Sequence, residues 1–131
     1  MKPFPHLFQE GRLGRRVAKN RIVMSPMGDN MGNPDGSVSE QQIAYYTERA
    51  KGGTGTIIMG VLCVDYPGGK TQGCQARIDN PKYIKDLSRL ARSVHRYGAL
   101  FLPQLHHAGM IALRQAIFGP APPRLRPSPE E

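Results

Sequence analysis

The 131-residue sequence has no long apolar run and only two cysteines. A membrane-spanning helix needs about 20 apolar residues, and no segment approaches that length. The N-terminal stretch MKPFPHLFQEGR lacks the apolar centre of a secretory signal, which argues against export. Without export, Cys63 and Cys74 are expected to stay reduced rather than to form a disulfide. We therefore predict a cytoplasmic protein that has no membrane partner.

Acidic residues are also scarce, since 10 Asp and Glu stand against 18 Lys and Arg, for a formal net charge of +8. Five of the basic residues lie between Arg12 and Arg21, where they could contact the phosphates of a nucleic acid. No aromatic residue interleaves with this basic cluster to stack on bases. A solvated basic turn is therefore the favoured interpretation, and a nucleic-acid-binding module remains the weaker alternative.

Apolar runs alternate with amphipathic segments, which is typical of βα units in a parallel sheet. Ser39, followed three residues later by Gln42, predicts a capping box at the start of one helix, and Asn80-Pro81 predicts the start of another. The second helix is expected to bury the stripe Ile84, Leu87, Ala91 and Val94. Residues 54–64 are apolar without alternation, which indicates a strand covered on both faces. The predicted elements are a hairpin at 6–17, strands at 21–25, 54–64 and 99–105, helices at 39–51 and 80–97, and a proline-rich irregular tail at 119–131.

Ligands of parallel α/β proteins gather where the strands end at their carboxyl side. Three segments of this sequence follow apolar runs and are therefore candidates for the carboxyl ends of strands. We expect all three to open on one edge of the sheet: Ser25-Pro26-Met27-Gly28, Gly60-Val61, and the segment from Gln104 to Met110.

Other chemistries match the sequence poorly. Gly69-Lys70-Thr71 resembles the end of a phosphate-binding loop, but Val64 occupies the position of the required earlier glycine. A zinc site is disfavoured because neither cysteine belongs to a CxxC pair and adjacent histidines on a strand point to opposite faces. The side chains that such a site would need are Cys63, Cys74, His106 and His107. A cysteine nucleophile is no better supported, since a buried cysteine is usually inert. We predict no metal site and assign no catalytic residue.

Three separated blocks of sequence resemble the Old Yellow Enzyme family, and they occur in the order and at the spacing of that family. They are KNRIVMSPM at 19–27, YTERAKGG at 46–53 and QLHHAG at 104–109, and the resemblance runs from Leu7 to about Ser128. The family comprises FMN-dependent NAD(P)H:flavin oxidoreductases and includes the 2,4-dienoyl-CoA reductase branch. The resemblance implies a (β/α)8 TIM barrel that carries FMN at the carboxyl ends of its strands. It also implies hydride transfer from NAD(P)H through FMN to an activated alkene or enone.

The resemblance assigns cofactor roles to residues at the three strand ends. It places Gly60 and Val61 close to the isoalloxazine ring, and Gln104 on the pyrimidine edge of the flavin. An amide suits that mixed edge because it offers a donor and an acceptor. His107 is expected in the wall of the pocket, whereas His106 is expected to pack or to meet solvent. The segment that would line the flavin, largely through its backbone, consists of Ser25, Pro26, Met27 and Gly28.

Two departures from the family pattern concern single residues. Met110 stands where the family often has arginine, which removes a cation and a forked hydrogen-bond donor. Gly28 stands where many relatives carry a cysteine or threonine that faces the flavin.

The length of the chain is a third departure, because a (β/α)8 barrel needs about 250 residues and this sequence supplies about three βα units after a short hairpin. We therefore expect residues 1–131 to be the N-terminal part of one barrel domain, inactive alone. An iron–sulfur cluster and FAD, implied for the dienoyl-CoA reductase branch, would bind outside this chain. The alternative is a non-catalytic interaction domain that buries its open edge on another chain or in a homo-oligomer.

Overall fold

The computed structural model describes residues 4–112. A short antiparallel hairpin precedes a three-stranded parallel sheet, and two helices pack against that sheet. The strands are β1 (Gly11–Leu13), β2 (Arg16–Ala18), β3 (Val23–Met24), β4 (Thr56–Cys63) and β5 (Leu100–His106). The helices are α1 (Glu40–Lys51) and α2 (Ile84–His95), with 3-10 turns at Pro81–Tyr83 and Gly109–Ile111.

The hairpin lies slightly later in the chain than predicted, because its strands pair Gly11 with Ala18 across a turn. Gly14 supplies the left-handed conformation of that turn, with φ of 57°. The proline-rich tail predicted at 119–131 lies outside the described residues. Within residues 4–112, the structure contains no helix long and apolar enough to cross a bilayer.

The sheet has the order β3-β4-β5, with both neighbouring pairs parallel. The prediction that β4 is covered on both faces is confirmed, since two pairs of adjacent residues, which point to opposite faces, are buried: Thr56 with Ile57 and Leu62 with Cys63. The prediction of a buried first strand is wrong at Val23, which is 52% exposed in a strand of only two residues. Parallel strands that follow one another along the chain bring their carboxyl ends to one edge of the sheet.

The capping box predicted for α1 is only half formed. The Ser39 hydroxyl accepts a hydrogen bond from the Gln42 backbone N–H, at 3.0 Å. The Gln42 side chain does not return to Ser39 but donates to the Asp29 carboxylate, at 2.8 Å. A helix residue that sequence rules assign to local capping is therefore used to hold a distant loop.

Helix α2 follows a 3-10 turn that Asn80 caps, with its side chain accepting from the Lys82 N–H. The predicted apolar stripe is right at Val94 but wrong at Ile84, which is 61% exposed at the start of the helix. Leu90, absent from the predicted stripe, is fully buried. The chain leaves the helix through Gly98, which has φ of 70°.

Candidate functional site

The segment that follows β3 crosses directly over β4 at Gly60. A Cβ atom built on Gly60 would lie 1.7 Å from the Met27 carbonyl oxygen, far inside van der Waals contact. Only glycine permits this approach, so the residue type at position 60 fixes how closely the loop lies on the strand. The structure thus brings together the first two of the three predicted strand ends.

Strand β4 contains a bulge at this same place. Met59 pairs with Pro103 and Leu62 pairs with Leu105, so two residues of β4 face one residue of β5. The prediction that Gly60 and Val61 end the strand is wrong, because β4 continues to Cys63. The bulge turns the Val61 N–H to the Gln104 side chain, whose Oε1 accepts its hydrogen bond at 3.2 Å.

This hydrogen bond orients the carboxamide of Gln104. Because the Val61 N–H is a donor, the atom that faces it must be the amide oxygen. The Gln104 Nε2 group makes no hydrogen bond to any other residue in the range 4–112. Gln104 therefore holds a fixed donor at the edge of the sheet, next to the Met27–Gly60 contact.

Helix α1 holds the loop in place through a buried polar network that sequence reasoning missed. Tyr46 donates its hydroxyl hydrogen to the Asp29 carboxylate at 2.8 Å and accepts from the Gly60 N–H at 3.2 Å. Gln42 binds the other oxygen of Asp29, as does the Met31 N–H. Burial, together with the negative charge of Asp29, raises the pKa of Tyr46, so this phenol keeps its proton above the pH at which an exposed tyrosine ionises.

A second loop, residues 65–76, covers the carboxyl end of β4. Its central anchor is Gln75, which is 1% exposed. Gln75 Oε1 accepts from the backbone N–H of Thr71 at 2.8 Å and of Gln72 at 3.3 Å. Its Nε2 lies 3.2 Å from His106 Nδ1, on the end of β5. His106 thus packs and ties this loop to the sheet, in agreement with one of the two roles expected for it.

His107 joins the same loop to the segment after β5. Its Nε2 lies 3.3 Å from Asp65 Oδ2, and its Nδ1 accepts from the Gly109 N–H at 3.0 Å. The ring also packs against Gly69, where an added Cβ atom would lie 2.7 Å from His107 Cδ2. The histidine therefore forms part of a wall between two loops, and its role in a pocket stays a prediction.

Three of the four predicted lining residues in the segment 25–28 are open to solvent at this edge. Ser25 and Gly28 are exposed, and Met27 is 55% exposed. An apolar side chain, backbone groups and a fixed amide donor therefore share one surface, which suits a flat ring with a mixed polar edge. No group of three or more His, Cys, Asp or Glu side chains placed to hold a metal occurs among residues 4–112.

Both the sequence and the fold of the chain are similar to those of known proteins. The sequence model of the NADH:flavin oxidoreductase / NADH oxidase family matches residues 6–119. An NADH oxidase from Thermoanaerobacter brockii is 53% identical over 109 residues, covering 83% of this chain. The solved old yellow enzyme from Trypanosoma cruzi covers 86% of the chain with a TM-score of 0.76 and 30% identity. A 2-naphthoyl-CoA reductase structure covers 84% with a TM-score of 0.81 and 26% identity.

These likenesses confirm the prediction that the chain folds as the N-terminal part of a (β/α)8 barrel. The chain spans only a small part of the proteins that it matches. It covers 17% of the Thermoanaerobacter NADH oxidase, 29% of the Trypanosoma chain and 17% of the reductase chain.

Proposed function

The chain belongs to the NADH:flavin oxidoreductase / NADH oxidase family, and on this premise we propose that the segment after β3, the bulge of β4 and Gln104 of β5 form part of an FMN site. The observation that supports the proposal is the juxtaposition of Met27, Gly60, Val61 and Gln104 at one edge of the sheet. This edge carries the carboxyl ends of β3, β4 and β5, where ligands of parallel sheets bind.

The residues present fit the cofactor. Gln104 Nε2 would donate to the polar edge of the flavin ring, since Gln104 Oε1 is already engaged by the Val61 N–H. Ser25, Pro26, Met27 and Gly28 would line the ring with backbone groups and one apolar side chain. Gly60 and Val61 would lie below the ring, at the bulge of β4 where the segment after β3 crosses the strand.

Bound FMN would supply the redox chemistry by taking hydride from NAD(P)H and passing it to an activated alkene or enone. This chain's own contribution is to bind and orient the ring. His106 and His107 are occupied in holding the 65–76 loop, so neither is assigned as an acid or base. We propose that the chain alone does not turn over NAD(P)H, because three strands supply only part of a barrel site.

A chimera tests this proposal. The segment of the Thermoanaerobacter brockii NADH oxidase that aligns with this chain would be replaced by the chain itself. We expect the purified chimera to retain FMN and to oxidise NADH, whereas the 131-residue chain alone binds FMN more weakly and shows no turnover. A folded but colourless chimera would contradict the proposal. Gln104→Ala should lower its FMN content, and the exposed Gln41→Ala serves as the matched control.

A second candidate function, an interaction domain, is supported by the exposed surface of β5. Leu102 is 43% exposed and Leu105 is 64% exposed, and β5 pairs only with β4 in the described part of the chain. An open edge with apolar side chains favours burial on another chain or on a second copy. Sedimentation at increasing protein concentration tests it: a size that grows with concentration, together with no FMN binding, would favour this candidate over the first.

A further inference from the structure

Position 28 lacks a side chain, and a side chain from another loop fills the space. A Cβ atom built on Gly28 would lie 2.3 Å from Gln72 Nε2, 3.0 Å from Gln72 Cδ and 3.2 Å from Gln72 Oε1. All three atoms of the carboxamide therefore lie against the Gly28 backbone. The group that this part of the surface presents belongs to residue 72, which is 44 positions further along the chain.

The loop that carries Gln72 is held firmly against the loop that carries Gly28. The Cys74 N–H donates to Asn30 Oδ1 at 2.9 Å, and the Gly32 N–H donates to the Cys74 carbonyl at 2.9 Å. On the other side, the Gln72 N–H donates to the buried Gln75. The backbone of Gln72 is thus fixed between β5 and the segment after β3, and only its side chain is left to turn.

The carboxamide of Gln72 has unused hydrogen-bonding capacity. Its Oε1 is buried from water and has no hydrogen-bond partner within residues 4–112. An unsatisfied buried acceptor is costly and therefore points to a partner that completes it. The last torsion of a glutamine side chain has a broad minimum, so the amide can turn its oxygen toward a bound molecule at little cost.

We propose that Gln72 contacts the FMN ring in place of a residue-28 side chain, and that it accepts a hydrogen bond from the ring. This inference rests on the proposed function and extends it to a residue outside the three strand ends. Reduction of the isoalloxazine adds hydrogen to a ring nitrogen and thereby creates a new N–H donor. An acceptor that lacks a partner therefore favours reduced over oxidised FMN, and Gln72 biases the redox equilibrium of the cofactor.

The test uses the full 131-residue chain, with FMN titrated anaerobically in its oxidised form and, separately, after reduction with dithionite. Gln72→Met keeps the volume of the side chain and removes the amide, and Gln41→Met on the exposed face of α1 is the matched control. We expect Gln72→Met to weaken binding of reduced FMN about fivefold, the loss of one hydrogen bond, and that of oxidised FMN less. Gln41→Met should leave both affinities unchanged.

A double-mutant cycle identifies the structural cause. Gly28→Ala should push the carboxamide aside and reproduce the effect of Gln72→Met. When Gly28→Ala is added to Gln72→Ala, it should weaken FMN binding less than it does in the wild-type chain, because the displaced group is already absent. Circular dichroism of each variant checks that it remains folded, so that a loss of affinity reports on the contact.

The outcomes separate this inference from the function on which it rests. If Gln72→Met has the same affinity as Gln41→Met for each redox form of FMN, while Gln104→Ala weakens the binding of both forms, then Gln72 does not contact the cofactor and the proposed FMN site stands. Additive effects of Gly28→Ala and Gln72→Ala would likewise overturn the inference. If the folded wild-type chain binds neither form of FMN, the proposed function fails and the inference falls with it.

Discussion

Replacing Gly60 with alanine tests how the first two strand ends are joined. The new Cβ would lie 1.7 Å from the Met27 carbonyl oxygen, whereas ordinary contact begins at 3.4 Å. The Met27 backbone, which is not a flexible side-chain tip, must therefore withdraw by about 1.7 Å. That shift would pull Asp29 away from Tyr46 and Gln42, which it now contacts at 2.8 Å each. Overpacking costs about 1–3 kcal/mol, and each lost hydrogen bond about 1 kcal/mol.

We therefore expect Gly60→Ala to lower the free energy of unfolding by about 3–5 kcal/mol. Urea unfolding followed by far-ultraviolet circular dichroism measures it. Gly73→Ala is the matched control, because a Cβ there meets no atom within 4 Å, and it should change stability by no more than about 0.5 kcal/mol. FMN affinity should fall with Gly60→Ala and stay constant with Gly73→Ala. Equal stability and equal FMN affinity of the two variants would refute the reasoning about how the loop lies on β4.

Three further predictions concern single side chains. Tyr46→Phe should lower the free energy of unfolding, measured in urea, by about 2 kcal/mol, because the Tyr46 hydroxyl makes two hydrogen bonds. The control Tyr45→Phe should lower it little, and equal effects of the two variants would contradict the network. Burial raises the pKa of the Cys63 thiol, so a thiol reagent should label Cys74 first and Cys63 only on unfolding, as peptide mapping by mass spectrometry would show. Two hydrogen bonds from Arg77 lower the pKa of Asp79, so the stability that they contribute is present at neutral pH and is lost as pH falls below about 4. The loss of unfolding free energy caused by Asp79→Asn should therefore be smaller below that pH than at neutral pH. A loss that does not depend on pH would be inconsistent with this pairing.

The three parallel strands were predictable from the sequence, but the end of the second strand was not, because β4 continues beyond Val61 to Cys63. Apolar runs before Ser25, within 54–64 and before Gln104 indicated parallel strands, and parallel connectivity places their ends at one edge. The hydrogen bond between Gln104 and the Val61 N–H was not predicted. It depends on the bulge at Gly60, and the only signal for that bulge was a single glycine inside the apolar run 54–64.

The residues that support the site were harder to find because their partners are far away in sequence. Gln42 carries the pattern of a local capping residue, yet its side chain reaches Asp29 across the α1–loop contact. Gln72 lies in a loop whose pattern suggests only a poor phosphate-binding motif, and its relation to Gly28 exists only once two loops are packed. Periodicity and turn rules describe local structure, whereas these contacts depend on tertiary packing.

The most direct test of the central claim is an FMN titration of the isotopically labelled chain, followed through its backbone amide NMR signals. If residues 25–28, 60–61 and 104 hold the ring, the amide signals of Met27, Gly28, Gly60, Val61 and Gln104 should shift together as FMN is added. Signals at the opposite edge of the sheet should stay unchanged. Shifts confined to the basic β1–β2 hairpin, or shifts spread over the surface, would contradict the proposed flavin site.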